Sequence, residues 1–289
     1  MNIPTAPSLA DIMDNNKTTQ IMQDNQLNLS KFDLLVKQKE LNPVVAKQLY
    51  DVLNTCHIVL LCDDSSSMNQ TIAAEGNDPF AVKTSTRWYE LKKLAAALIE
   101  IITIVNPNGL DIYFLNRAIA HNVSSLVGLS NIFNIPPNGG TNISYALNKI
   151  YDDKKETLTK DKQLLIVVIT DGEPTDGTNN PRTNLYDTIR TITNRKNVHV
   201  SFAECTDQEE DMEYLDGWDK KLVNFDNTDD YREELRRVKA VNGINFKFDY
   251  TDYVIKILLA TFIRSYFNLD QVDSTKNIPI DDCDCCQIL

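Results

Sequence analysis

Three short runs of oxygen-bearing side chains set the chemistry of this sequence. The first is Asp63-Asp64-Ser65-Ser66-Ser67, a D-x-S-x-S pattern that follows the apolar run 57–62. The second, PPNGGTNIS (136–144), places Thr141 behind a Gly-Gly turn. The third, Asp171-Gly172-Glu173, follows the apolar run 164–170. Carboxylates and hydroxyls without sulfur or imidazole are what a hard divalent cation takes. Asp63 and Asp171 would supply charge, partly through bound water, and Ser65, Ser67 and Thr141 neutral hydroxyls. Mg²⁺ is the expected ion, with Mn²⁺ and Ca²⁺ as alternatives. Two carboxylates only balance a 2+ charge, so an acidic side chain from a protein partner would be welcome at an open position. An EF-hand reading of 171–176 fails, because Thr175 stands at its fifth position and no Gly at its sixth. Glu173 and Asp176 read as loop-shaping or partner-facing groups. Asp64 is expected to point to solvent or to lie behind the ligands.

The elements that must position these loops follow from periodicity. HIVLLC (57–62) and LLIVVIT (164–170) are continuous apolar runs, expected of strands covered on both faces. Further strands are expected at 111–115, 198–205 and 222–225. Helices are expected from about Thr86, around 142–151, at 181–194, 230–240 and 250–267. Leu91, Leu94, Ala95, Leu98, Ile101, Ile102 and Val105 make a buried helical stripe. Strand–helix alternation predicts a doubly wound, mostly parallel α/β sheet with helices on both faces. In such sheets ligands bind beyond the carboxyl ends of the strands. Two short helices precede it in 29–54, where Asn42 is a natural N-cap and Pro43 fits the first helical position. The organisation expected is a disordered leader over 1–28, the helical pair over 29–54, the domain over 55–268 and a flexible tail over 269–289.

D-x-S-x-S after the first strand, a Gly-Thr loop and T-D-G after a central strand resemble the von Willebrand factor A domain and its metal-ion-dependent adhesion site. The resemblance covers roughly residues 57–268. It implies Asp63, Ser65, Ser67, Thr141 and Asp171 as ligands, directly or through water, and a role in binding protein. TRWYELK (86–92), DIYFLN (111–116), TDGEPTD (170–176) and the helical pair are similar to the intracellular eukaryotic members. Where the family carries Gly between the two serines, this chain has Ser66; loss of that glycine can strain the loop, and the site is expected to survive with weaker metal affinity.

The 289 residues carry 29 Lys and Arg against 41 Asp and Glu, a net charge of −12. So acidic a chain has no electrostatic route to nucleic acid or to an anionic membrane. No secretory signal is expected in MNIPTAPSLADIMDNN, and the longest apolar stretch, 94–105, is too short to span a bilayer. Three of the six cysteines, Cys283, Cys285 and Cys286, crowd into the last seven residues. Cys286-Gln287-Ile288-Leu289 matches a C-a-a-X box with the terminal Leu of geranylgeranyl substrates. One lipid gives marginal binding, so Cys283 and Cys285 are candidates for palmitoylation. The reading is a divalent-metal-dependent binding module on the cytosolic face of a membrane in a eukaryotic cell, native or delivered. Its alternatives are a soluble acidic assembly subunit and a metal-dependent hydrolase. No catalytic residue is expected, since His57, His121 and His199 sit in no catalytic motif; oligomeric state is left open.

Overall fold

A computed structural model describes residues 26–73, 84–159, 161–195, 197–208, 212–215 and 217–271. Helix α1 covers 26–38, and α2 (Pro43–Thr55) starts where Asn42 accepts a hydrogen bond from the Val44 amide, with Pro43 behind the cap. Then come β1 (Cys56–Cys62), a β2–β3 hairpin (Thr71–Ala73, Thr84–Thr86), α3 (Arg87–Val105), β4 (Leu110–Phe114), β5 (Ala120–Val123) and α4 (Leu126–Ile132). They are followed by α5 (Ile143–Lys154), β6 (Gln163–Thr170), α6 (Pro181–Thr193), β7 (Val198–Glu204) and β8 (Phe225–Thr228). The last helices are α7 (Tyr231–Asn242), α8 (Tyr250–Leu259) and α9 (Arg264–Phe267).

The main sheet has the order β5-β4-β1-β6-β7-β8, parallel except for β5. The expected doubly wound α/β architecture is therefore present. Strand alternation divides the apolar residues between two cores. Ile58, Leu60, Cys62, Leu165, Val167 and Ile169 face the layer of α2, α3 and α8. Val59, Leu61, Leu164, Ile166 and Val168 face α5 and α6. Phe32, Leu35, Val45, Leu49 and Leu53 belong to the first core, so the N-terminal helices pack onto the domain.

Some boundaries differ from the sequence reading. Residues 26–28 are helical, while 1–25 lie outside the described residues. The last strand begins at Phe225, where 222–225 was expected; Leu222 packs in the second core from a turn. The stretch 250–267 is two helices, with Ile263 extended between them. Residues 269–271 are held to the domain: Asn242 Nδ2 donates to Leu269 O at 2.7 Å and Gln271 Nε2 to Asp219 Oδ2 at 3.2 Å. The rest of the expected tail, 272–289, with Cys283, Cys285 and Cys286, lies outside the described residues.

The buried ammonium of Lys256 on α8 clamps this end of the chain. It lies 2.6 Å from Glu234 Oε1 on α7 and 3.1 Å from Asp270 Oδ1. Surrounding carboxylates hold Lys256 protonated, against the pull of burial. Burial pushes Asp229 up to about 7 and Asp226 up to about 6 against the pull of nearby cations. Acids with raised values hold protons in the folded state that the unfolded chain has released. Urea unfolding should therefore show stability falling as pH rises from about 4 to 7. Flat stability across that window would contradict this burial account.

Candidate metal site

The chain enters the sheet at β1, winds outward to β4, then returns to β6 on the other side, so the winding reverses between β1 and β6. Asp63 follows β1 and Asp171 follows β6, which puts both at the reversal, where doubly wound sheets bind ligands. The two strand ends are stitched together. Asp63 N donates to Ile169 O at 2.9 Å, and Thr170 Oγ1 donates to Asp63 Oδ2 at 2.6 Å. Asp63 Oδ1 accepts from Ser65 N at 2.8 Å, which turns the loop back on itself.

Three of the five expected ligands are joined side chain to side chain by hydrogen bonds. Ser65 Oγ and Ser67 Oγ are 2.9 Å apart, and Ser67 Oγ donates to Asp171 Oδ1 at 3.0 Å. Thr141, just before α5, lines the same depression of about 400 Å³ as Ser65, Ser67 and Asp171. Its loop is fixed against that of Asp171 by paired bonds: Thr141 N donates to Thr175 Oγ1 and Thr175 N to Thr141 O, both at 2.8 Å. The fifth, Asp63, is 1% exposed, and Asp171 is fully buried. Burial, and then repulsion from Asp171, pushes Asp63 up to about 6.

This donor set fits a hard divalent cation. Oxygens at about 2.0–2.1 Å in an octahedron stand about 2.9 Å apart along its edges, and the 2.9 and 3.0 Å hydrogen-bonded spacings are compatible with that edge.

The sequence reading missed the residues that hold these loops. Of the two places expected for Asp64 it takes the one behind the ligands: it is 1% exposed and organises the neighbouring strand end. Its Oδ1 accepts from Asn116 N at 2.8 Å and its Oδ2 from Arg117 Nε at 2.6 Å. Arg117 reaches on to Ile135 O and Pro136 O, and lies over the rings of Trp88 and Phe114. Asn116 clasps Gly140 through both its amide atoms. Asn116 and Arg117 stand two and three residues beyond Phe114, the last residue of β4, so their place at the carboxyl edge of the sheet was the available signal. Arg87 also went unread: Nη1 lies 2.9 Å from Asp171 Oδ2, with both side chains buried. Nothing in its spacing announces that contact across 84 residues.

Ser66 does not strain the loop. It opens a short 3₁₀ turn (Ser66–Asn69) and is not among the described residues with positive φ. Its hydroxyl donates to Asn138 Oδ1 and accepts from Gly139 N, both at 3.1 Å, tying the first loop to the second. Asp176 shapes the third loop, accepting from Thr178 and Asn184. Glu173 pairs with Arg182 at the surface.

Gly139 is the backbone position the site cannot give up. Its φ is +125°, and a Cβ there would lie 2.2 Å from Asn116 Oδ1. Gly139→Ala should cost about 1–3 kcal/mol of stability in urea unfolding, and should weaken cation binding by displacing Thr141. A variant as stable as the original would contradict this placement.

The sequence matches no protein-family model and no curated protein. Solved structures to which the chain is similar include manganese-loaded Plasmodium vivax TRAP protein, at 14% identity and TM-score 0.36, covering 53% of this chain and 57% of that one. The SpRpn10 VWA domain is similar at 12% identity and TM-score 0.41, over 60% of this chain and 86% of that one. Proximal thread matrix protein 1 from the mussel byssus is similar at 15% identity and TM-score 0.39, over 61% and 44%. The chain thus spans little more than half of the first of these and less than half of the third. One of the three carries in its name the domain family that the motifs resemble.

Proposed function

We propose that this chain is a divalent-cation-dependent protein-binding module. Asp63, Ser65, Ser67, Thr141 and Asp171 would hold Mg²⁺, with Mn²⁺ or Ca²⁺ as substitutes, and an acidic side chain of a protein partner would complete the shell. The observation that carries the reading is the Ser65–Ser67–Asp171 oxygen cluster at the β1/β6 reversal, spaced for an octahedral ion and open to solvent. When bound, the ion supplies a positive centre that attracts a carboxylate. The chain's own part is to hold the oxygens in place, through Thr170 on Asp63 and through Asn116 and Arg117 on the Gly-Gly-Thr loop. Exposed apolar side chains on the segments that carry the site favour a macromolecular partner: Tyr89 in the first turn of α3, Ile135 before the Gly-Gly turn, and Tyr145 in the first turn of α5.

Binding without turnover is the reading supported. His199 stacks on Phe262 at the opposite end of β7, His57 starts β1 at that same end, and His121 lies on edge strand β5. Burial pushes the Cys56 thiol up to about 11 and Cys62 and Cys205 higher still, which removes them as nucleophiles.

The test is retention of proteins from a eukaryotic lysate by the full chain in Mg²⁺, in chelator, and in Mg²⁺ with Asp63→Ala. Partners kept only by the unmutated chain in Mg²⁺ are expected. The same partners in all three arms would move recognition to the acidic surface and favour the assembly-subunit reading. With Leu289 as its last residue, the chain would also be prenylated at Cys286 and palmitoylated at Cys283 or Cys285, tethering the module to a cytosolic membrane face. No helix among the described residues is long and apolar enough to cross a membrane. An intact mass from eukaryotic cells without an added prenyl group would end the tether proposal.

A further inference from the structure

We infer that Arg87 is a built-in positive charge within the cation site, and that it makes tight retention of the ion depend on an anionic group from the partner. This rests on the proposed cation site and adds a rule for how that site is regulated.

The geometry is specific. Arg87 is the first residue of α3, and its Nη1 lies 2.9 Å from Asp171 Oδ2, with side-chain exposures of 2% and 0%. A buried ion pair is screened little by salt. Its place also runs against the helix: the N-terminus of a helix carries partial positive charge, which disfavours a cation. The backbone does not need Arg87 there, since Thr86 already caps α3 by accepting from Tyr89 N. The guanidinium is anchored to Asp171.

Two consequences follow for a cation. Asp171 Oδ2 is taken by the guanidinium, so Oδ1, which accepts from Ser67 Oγ, is the oxygen that faces the cluster. The charge sum also changes. Asp63 and Asp171 bring −2 and Arg87 returns +1, so a divalent ion leaves the site at +1. A carboxylate supplied from outside brings that to zero. Ion and carboxylate should then strengthen each other's binding reciprocally. With Arg87 neutralised, the two aspartates alone would balance the ion, and the outside carboxylate would matter much less.

The test is Mn²⁺ affinity by electron paramagnetic resonance on the full chain in chloride buffer, repeated with acetate at equal ionic strength. Arg87→Gln should bind Mn²⁺ about tenfold tighter than the unmutated chain, while Arg87→Lys, which keeps the charge, should stay near the unmutated value. Acetate should tighten Mn²⁺ binding to the unmutated chain by about fivefold and have little effect on Arg87→Gln. A purely structural Arg87 predicts the opposite sign, weaker binding on substitution. Unchanged or weaker binding in folded Arg87→Gln, shown by circular dichroism, would overturn the inference. Should that variant fail to fold, the acetate effect on the unmutated chain decides alone, and its absence overturns the inference. Failure of the unmutated chain to bind Mn²⁺ at all would bring down the cation site as well.

Discussion

Lys256→Met should lower the unfolding free energy by about 3–5 kcal/mol, the largest stability loss expected of a single substitution in this chain. The ammonium is fully buried and meets Glu234 at 2.6 Å and Asp270 at 3.1 Å. Asp229, Glu234 and Asp270 bring carboxylate oxygens within 4.8 Å of one another, and Arg237 pairs with Asp229 at 3.0 Å. Removing Lys256 leaves Glu234 and Asp270 buried without their counter-charge, and that uncompensated burial outweighs the apolar surface that Met adds. Two effects should accompany the loss. Glu234→Gln in the same chain should return part of it, and the segment that carries Asp270 should become more open to protease. Urea unfolding of the single and double variants measures the first. A loss below about 1 kcal/mol, the range of exposed pairs, would show that Lys256 does not clamp the C-terminal segment.

Asp63→Asn should abolish divalent-cation binding, with an affinity loss on the order of a hundredfold or more, while raising the stability of the chain in chelator. The two effects have one cause. Asp63 is nearly fully buried, and burial together with Asp171 disfavours its charged form. An amide relieves that penalty, keeps an acceptor for Ser65 N, and removes half of the anionic charge the ion needs. Thermal unfolding with and without Mg²⁺ reads both. The unmutated chain should gain stability on adding Mg²⁺, and Asp63→Asn should start higher and gain nothing. A variant that is less stable in chelator and still responds to Mg²⁺ would show that Asp63 serves the fold and not the ion. Gain of stability with loss of binding is the usual signature of a site kept for function.

The sequence made the frame of this molecule readable because its buried strands are nearly pure apolar runs. Leu164–Thr170 admits few readings other than a central strand, and the stripe from Leu91 to Ile102 admits few other than a helix packed on a sheet. The cap at Asn42 was legible for a related reason: with Pro43 behind it, it acts within two residues of itself. Edge elements were harder. β5 (AHNV) has only one buried residue, Val123, so it carries no apolar signature. The expected strand over 222–225 was misplaced because Leu222 and Val223 are apolar, while the true strand, Phe225–Thr228, includes a buried Asp226 that looks like loop.

That the five candidate residues share one edge of the sheet was readable because each stands just after a strand or before a helix. Three of them come from a single loop, Asp63–Ser67, whose spacing is visible locally. The supporting residues were not readable, since their partners are distant in sequence. Asp64 meets Arg117 across 53 residues, and Arg87 meets Asp171 across 84. Ser66 was misread because an absent Gly was weighed for backbone strain, whereas the serine hydroxyl makes a bridge that Gly could not.

The central claim is that three loops at the β1/β6 reversal make one cation site. The most direct measurement is a crystal soaked in Mn²⁺, with an anomalous difference map. The account predicts a peak bounded by Ser65, Ser67, Thr141, Asp63 and Asp171, absent from crystals of Asp63→Asn. No peak there, or a peak at Asp229, Glu234 and Asp270 instead, would contradict it.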